Sequence, residues 1–474
     1  MKGVIIRLTV IIMLGTTAAY CQYSFGSPES ATYDPIRGRY LVSDQTNGDI
    51  IQIDSLGNYS LFSDTLNIVK GLIVRNDTLF GAAGWQGVAA FDLETAQLLF
   101  LHYIPGMVEL NDIAADSSGN IYVSDAQGNM IHKLHLPDMA SETMVTNFAR
   151  ANGLWYDVYN DRLLAIQWID NCPISAIDPH TYEVTVIRND GIDLLDGITK
   201  DCFGYYYVSS FGSDAIYRYD TLFSGPPTLF STGHVDPGDI YFNPYKYEIA
   251  VPYVTGGRIA FVRFVDMAVD TTYGYLPLDI NFTGSSLVPA ESWHWNFGDG
   301  TSADGQDVSH IYQDRGLFDV TLEVTSDGRV MSSTRKKYIA GLADSLIAPN
   351  VKVIGEVSAM VEIYATNSIP LNELRIPVEY QGVLSLKFDS VSTIGCRTEL
   401  FDNLDVVSSD ETNRRLFVRI KNNYNSTAPD LEAGDGAVLR LYFTINNPST
   451  GFINPIIIDG YSTNLPLFSG PYAI

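Results

Sequence analysis

Positive charge, cysteine and long apolar runs are all scarce in this chain. Lys and Arg number 29 against 55 Asp and Glu, a formal net charge of −26. A surface so acidic is repelled by phosphate backbones and anionic lipid, so nucleic acid and membrane surfaces are excluded as partners. Divalent cations remain, and solubility alone would also account for the excess. The four cysteines are too few for a disulfide framework. Cys21 is expected to leave with a leader, and the repeat described below puts Cys172 and Cys202 on opposite faces of one domain, apart from Cys396. No apolar helical period persists for three turns, while Tyr, Phe, Val and Ile alternate between Gly and Asn/Asp turns, so the chain reads as all-β.

The one apolar run lies at the start. Lys2 and Arg7 precede Leu8 to Leu14, then come the small residues GTTAA and YCQ. This pattern reads as a secretory signal peptide over 1–21, too short and wrongly flanked to span a bilayer. Cleavage is expected near Ala19 or Cys21, and Tyr20 is bulky where a lipid-attachment signal carries a small residue. The expected location is therefore secreted, extracellular or periplasmic, with no transmembrane segment.

Six similar hexamers follow: ESATYD at 29, KGLIVR at 70, NDIAAD at 111, NGLWYD at 152, DGITKD at 196 and GDIYFN at 238. Their starts are separated by 41, 41, 41, 44 and 42 residues. A period of about 40 residues with several short strands in each predicts a β-propeller. Six blades fit residues 22–265. The sixth shows three strands, and QYSFG at 22–26 is expected to supply its outer strand and close the ring, since closure removes exposed edges.

The first residue of each innermost strand is expected at one end of the central channel, giving a ring of Glu29, Lys70, Asn111, Asn152, Asp196 and Gly238. Four of these bear side-chain oxygens, which suit a hard cation, and the lack of His and Cys disfavours a soft one. Calcium is the first choice, with Mg2+ and Zn2+ as alternatives. Lys70 could instead neutralise Glu29 or Asp196 and replace the metal. His234 could face the same mouth or solvent. Trp85 and Trp168 could wall a ligand or pack between blades.

PESATYD, ANGLWYD and LDGITKDCFGYYYVSS together resemble the metal-ligand segments of the SMP-30/gluconolactonase and NHL-like six-bladed propellers, over roughly half of the chain. The resemblance implies Glu29, Asn152 and Asp196 as metal ligands, Asp196 also as general base, and the ELND segment, with Glu109 and Asn111, as substrate-binding. Glu109 stands where lactonases of this type carry an Arg, and PES lacks their Glu-Gly pair.

Beyond residue 265 the pattern changes. In SWHWNFGDGTS, Trp293, Trp295 and Phe297 alternate onto one sheet face, and Gly298 and Gly300 flank Asp299 in a tight turn. The W-x-F-G-D-G run resembles a PKD domain over 266–341, an extracellular spacer or binding module, with Asp299 read as a turn acid. Residues 345–474 alternate as a sandwich of nine strands or a similar number. LNELRIPVEYQG, LKFDSV and GDGAVLRLYFTI there resemble a cohesin-like domain, a class that binds dockerins or carbohydrate systems.

Two functions follow from this sequence. One is an exported, monomeric, modular binding or adhesion protein with a metal-binding propeller and an extracellular protein or polysaccharide as partner. The other is a metal-dependent lactone hydrolase acting on a small lactone, with accessory domains. Whether the chain is an enzyme stays open at this stage.

Overall fold

A computed structural model of the chain describes residues 25–381, 385–423, 426–446, 450–457 and 468–469. The expected signal peptide lies outside them. Among the described residues the structure is nearly all β, with a single three-residue 3-10 turn, Phe211–Ser213. Among the described residues no helix is long and apolar enough to cross a membrane. Two compact units divide between Phe264 and Val265.

The first unit is a six-bladed propeller. Five blades are four-stranded antiparallel sheets in simple sequence order, and the sixth is three-stranded among the described residues. The innermost strands are Pro28–Asp34, Leu72–Arg75, Leu110–Ala115, Ala151–Asp157, Leu195–Lys200 and Tyr241–Asn243. Apolar residues of adjacent blades share clusters, such as Leu41, Phe62, Leu79 and Phe91 of the first two blades. The hydrophobic core is therefore divided among the blade interfaces.

The expected closing strand at 22–26 falls mostly outside the described residues. Residues 22–24 lie outside the described set, and Phe25 and Gly26 are not in a strand. Among the described residues, blade faces join the ends of the ring. Ala31, Tyr40, Val42 and Ile51 of the first blade pack with Ala250 and Ile259 of the sixth. The Tyr40 hydroxyl donates to Glu248 Oε1 at 2.9 Å and accepts from Asn243 Nδ2 at 2.8 Å. Asp239 N donates to Glu29 O at 2.8 Å. Side-chain packing and hydrogen bonds thus tie the first blade to the sixth.

The second unit begins with two packed sheets, one of three strands and one of five. Trp295 and Phe297 are buried on one face and Trp293 is half-buried. Asp299 caps its own turn through Thr301 N at 3.0 Å, and also meets His310 Nε2 at 2.7 Å. That histidine ring stacks on Phe297, with centroids 4.1 Å apart. Beyond residue 342 the chain forms a second β-sandwich of a four-stranded and a six-stranded sheet around Val361, Ile363, Ile376, Val418, Leu441 and Phe443.

Candidate functional site

The hexamer repeat has two working ends. Its sixth residue caps the turn that follows: Asp34 Oδ1 accepts Ile36 and Arg37 N–H, Asp201 Oδ1 accepts Phe203 and Tyr205 N–H, and Asn243 Oδ1 accepts Tyr245 and Lys246 N–H. Such Asx turns fix where each second strand begins. The first residue does something different. In blades one, three, four and five the pairing register shifts between Pro28 and Ala31, opposite Val123 to Asp125, between Ala151 and Leu154, and between Leu195 and Ile198. Glu29, Asn111, Asn152 and Asp196 lie in these irregular stretches, and such a break in a ladder re-aims a side chain.

Residues at the end of the second strand hold the break open. Ser43, Ser124 and Ser209 hydroxyls accept the N–H of Ser30, Asp112 and Gly197 at 2.9, 2.8 and 2.8 Å. The following position ties down the incoming loop: Asp125 accepts Val108 and Glu109 N–H at 2.7 and 2.9 Å, Gln167 Nε2 donates to Ala149 O and Ser210 Oγ to Asp193 O, both at 2.8 Å. The aim of each first residue is thus fixed by the backbone.

These four side chains line one cavity of ≈ 280 Å³ at the channel mouth, together with Lys70 and Trp168. Glu29, Asn111, Asn152 and Asp196 are between 4% and 8% exposed. Asn152 Nδ2 donates to Asp196 Oδ2 at 3.2 Å. One oxygen on each of the four has no hydrogen-bond partner: Glu29 Oε2, Asn111 Oδ1, Asn152 Oδ1 and Asp196 Oδ1. Buried polar atoms are nearly always paired, so four orphan oxygens in one cavity are acceptors that an ion, a ligand or water would complete.

The electrostatics point the same way. Burial raises the Glu29 carboxyl well above the usual range, Asp196 raises it further, and Lys70 eases it. Burial pushes Asp196 up to about 7 against the opposing effects of Asn152 and Lys70. Two acids are therefore held where their charge is poorly solvated, a cost that a cation would offset.

Lys70 is otherwise engaged. Its ammonium lies 2.7 Å from Glu109 Oε1, so the direct ion pair is with Glu109 and not with Glu29 or Asp196. Glu109, expected in substrate binding, is thereby taken up in a rim salt bridge and is not in the cavity lining. His234 is buried between the Tyr253 hydroxyl at 2.9 Å and Ser231 Oγ at 2.7 Å, away from both solvent and the lining. Gly238 brings no side chain. Trp85 is 56% exposed and outside the lining, whereas Trp168 is in it, under the Arg150 guanidinium at 4.8 Å and edge-on to Phe211 at 5.8 Å.

Gln45, Gln127, Arg150, Phe211 and Val254 also line the cavity, and the sequence reading did not single them out. They follow second strands or precede inner ones, where residue types vary from blade to blade, so no repeat signal marks them. Cys172 and Cys396 are buried thiols.

Among the described residues, no group of three or more His, Cys, Asp or Glu side chains is placed to hold a metal ion. A cation here would depend on the two amides beside the two carboxylates. Oxygen ligands of both kinds, carboxylate and amide, are those that Ca2+ and Mg2+ take, and they leave Zn2+ without its usual nitrogen or sulfur. The donor chemistry and the orphan oxygens both fit a hard divalent ion.

Fold and site together define an all-β modular chain with a polar-mouthed six-bladed propeller. A PKD domain family model matches residues 268–340. A search of curated proteins found no match. Among solved structures, the chain is similar to a gluconolactonase from Xanthomonas campestris, with 16% identity, a TM-score of 0.43, and coverage of 49% of this chain and 84% of that one. It is similar to the calcium-binding protein regucalcin from Agrobacterium tumefaciens, with 15% identity, a TM-score of 0.40, and coverage of 48% and 82%. A virginiamycin B lyase from Staphylococcus aureus gives 15% identity, a TM-score of 0.38, and coverage of 50% and 84%.

Proposed function

We propose that this chain is an exported modular binding protein whose propeller mouth holds a divalent cation, calcium by preference. The observation that carries this reading is the set of four orphan oxygens on Glu29, Asn111, Asn152 and Asp196 in one buried cavity. Asn111 thereby joins the ligand set and is not a substrate contact alone. A bound cation would neutralise the two acids and leave room for one oxygen of an incoming ligand. Trp168 offers that ligand an aromatic wall, and Lys70 with Glu109 forms a charged rim. The PKD domain fits the role of a spacer, and the C-terminal sandwich, read as cohesin-like, fits that of a second recognition module for an extracellular protein or polysaccharide.

Isothermal titration of the chelator-treated full chain with Ca2+ tests the reading. Saturable binding near one ion per chain, weakened at least about tenfold in Glu29→Gln, is the expected outcome, since each ligand contributes a charge-assisted contact. No saturable binding of either Ca2+ or Mg2+ overturns it.

One observation favours a second reading, the lactone hydrolase. Asp196, pushed up to about 7 by burial, is matched to accept a proton from an attacking water near neutral pH. Turnover of a sugar or fatty lactone that is lost in Asp196→Asn would establish that activity, and an inert wild type across the panel removes it.

A further inference from the structure

A second cavity, of ≈ 240 Å³, opens at the other end of the propeller channel. Five of the six hexamers give their first residue to the mouth described above. Residues further along the hexamers, among them Thr32, Ile73, Ala115, Trp155 and Tyr241, line this one. Where the first mouth is ringed by oxygens, this wall is mostly apolar and aromatic. Val158, 64% exposed in the turn after Asp157, stands at its rim.

Two acids belong to the same lining, Asp112 and Asp239, at the second position of their hexamers. Asp112 is spoken for: Oδ2 accepts Leu154 N–H and Oδ1 accepts Ile113 N–H, both at 2.6 Å. Asp239 is not. Its Oδ2 accepts the Ser30 hydroxyl at 2.6 Å, and its Oδ1 receives no hydrogen bond among the described residues. The residue is only 8% exposed, but this oxygen is not sealed from solvent, so it stands as an acceptor without a protein partner that the cavity reaches. Its charged neighbours, Asp112, Glu29 and Asp196, all carry the same sign. Space for the acids is made by glycines. A Cβ on Gly71 would lie 2.4 Å from Asp112 Oδ1, and one on Gly197 would lie 2.6 Å from Asp239 Cα.

The choice of ligand follows from the walls. A divalent metal needs six or more oxygens, counting water, and would strip its hydration against Ile73 and Trp155 with one free carboxylate oxygen to replace it. An organic ammonium needs one strong acceptor, and its apolar body is favoured by aromatic and aliphatic walls. We propose that this cavity binds a small monovalent organic ammonium ion, its charged head on Asp239 Oδ1 and its body against Ile73, Trp155 and Tyr241.

Calorimetry on the full chain tests this with 2-phenylethylammonium and its neutral counterpart 2-phenylethanol. The wild type is expected to bind the ammonium at least about tenfold more tightly than the alcohol, as a buried charged hydrogen bond requires. Asp239→Asn, which keeps an acceptor for Ser30, should lose at least about tenfold in ammonium affinity by the same argument. Val158→Trp, a surface change at the rim that does not threaten the fold, should block the cavity while leaving calcium binding at the opposite mouth unchanged. Equal affinity for the alcohol, no ammonium binding up to millimolar concentration, or full binding in Val158→Trp would each overturn the proposal. Calcium titration reads the first mouth separately, so failure there and failure here are distinguishable.

Discussion

Asp196 is a residue placed against its own electrostatic interest. Its carboxyl is buried, near Glu29, and pushed up to about 7 by that burial. A carboxyl whose folded value exceeds its unfolded value takes up protons on folding. Its favourable contribution is full below about pH 4 and is lost as pH rises through about 7. In chelator, the wild-type melting temperature should therefore fall between those limits, and Asp196→Asn should flatten the fall and melt higher at pH 8. The same variant should gain no melting temperature from calcium. A chelated variant that melts below wild type at pH 8 would mean that Asp196 serves packing and not a ligand. The first position of five of the hexamers was legible in the sequence because its polar side chain interrupts an apolar strand at a fixed period. The second position was not. Ser30, Gly71, Asp112, Gly153, Gly197 and Asp239 are not of one residue type, and the order in them is spatial: Gly71, Gly153 and Gly197 leave room for a neighbouring blade's acid or backbone.

At the scale of the strand, the irregularity that aims the ring is held by the serine and the residue after it, in VSD, VSD and VSS of blades one, three and five. Those residues read in sequence as polar strand ends and nothing more, since hydrophobic alternation carries no sign of a skipped pairing. Asp125 is the best tied of them: it accepts three backbone N–H groups, from Val108, Glu109 and Gly128, and meets His132 Nε2 at 3.3 Å. Burial alone would raise its carboxyl, and the hydrogen bonds from His132 and the loop amides outweigh that and lower it. Asp125→Ala leaves these donors unpaired, and a loss of about 2–3 kcal/mol in chemical denaturation is expected. Because the freed loop carries Glu109 and leads into Asn111, calcium affinity should weaken as well. Stability lost with calcium affinity intact would show that the loop does not position the ligand. Gly153→Ala probes the neighbouring blade: its Cβ would sit 2.3 Å from Asp196 O, a backbone atom that must move. A cost of about 1–3 kcal/mol is expected, with weaker calcium binding, since the moved atom belongs to a ligand residue.

At the scale of the whole chain, the repeat count and the change of character near residue 265 were readable because both are patterns of spacing, and spacing survives in a single sequence. The side-chain contacts that join the first and sixth blades were not readable, because they link residues about 200 positions apart. Tyr40 occupies that junction. Its hydroxyl is both donor to Glu248 and acceptor from Asn243, and its ring meets Phe261 with centroids 4.9 Å apart. Tyr40→Phe keeps the ring and removes the hydroxyl, so two buried polar groups lose their shared partner, for about 1–3 kcal/mol. For a unit of this size each 1 kcal/mol corresponds to about 2–4 °C. Scanning calorimetry of the full chain should show the propeller transition lowered by that amount, with the transition of the second unit unmoved, because the two units are compact in their own right. The loss should be the same with calcium bound and with chelator, since Tyr40 is outside the lining of the mouth. An unshifted propeller transition would place the closing energy in the apolar cluster alone, with the hydroxyl bridge contributing nothing measurable.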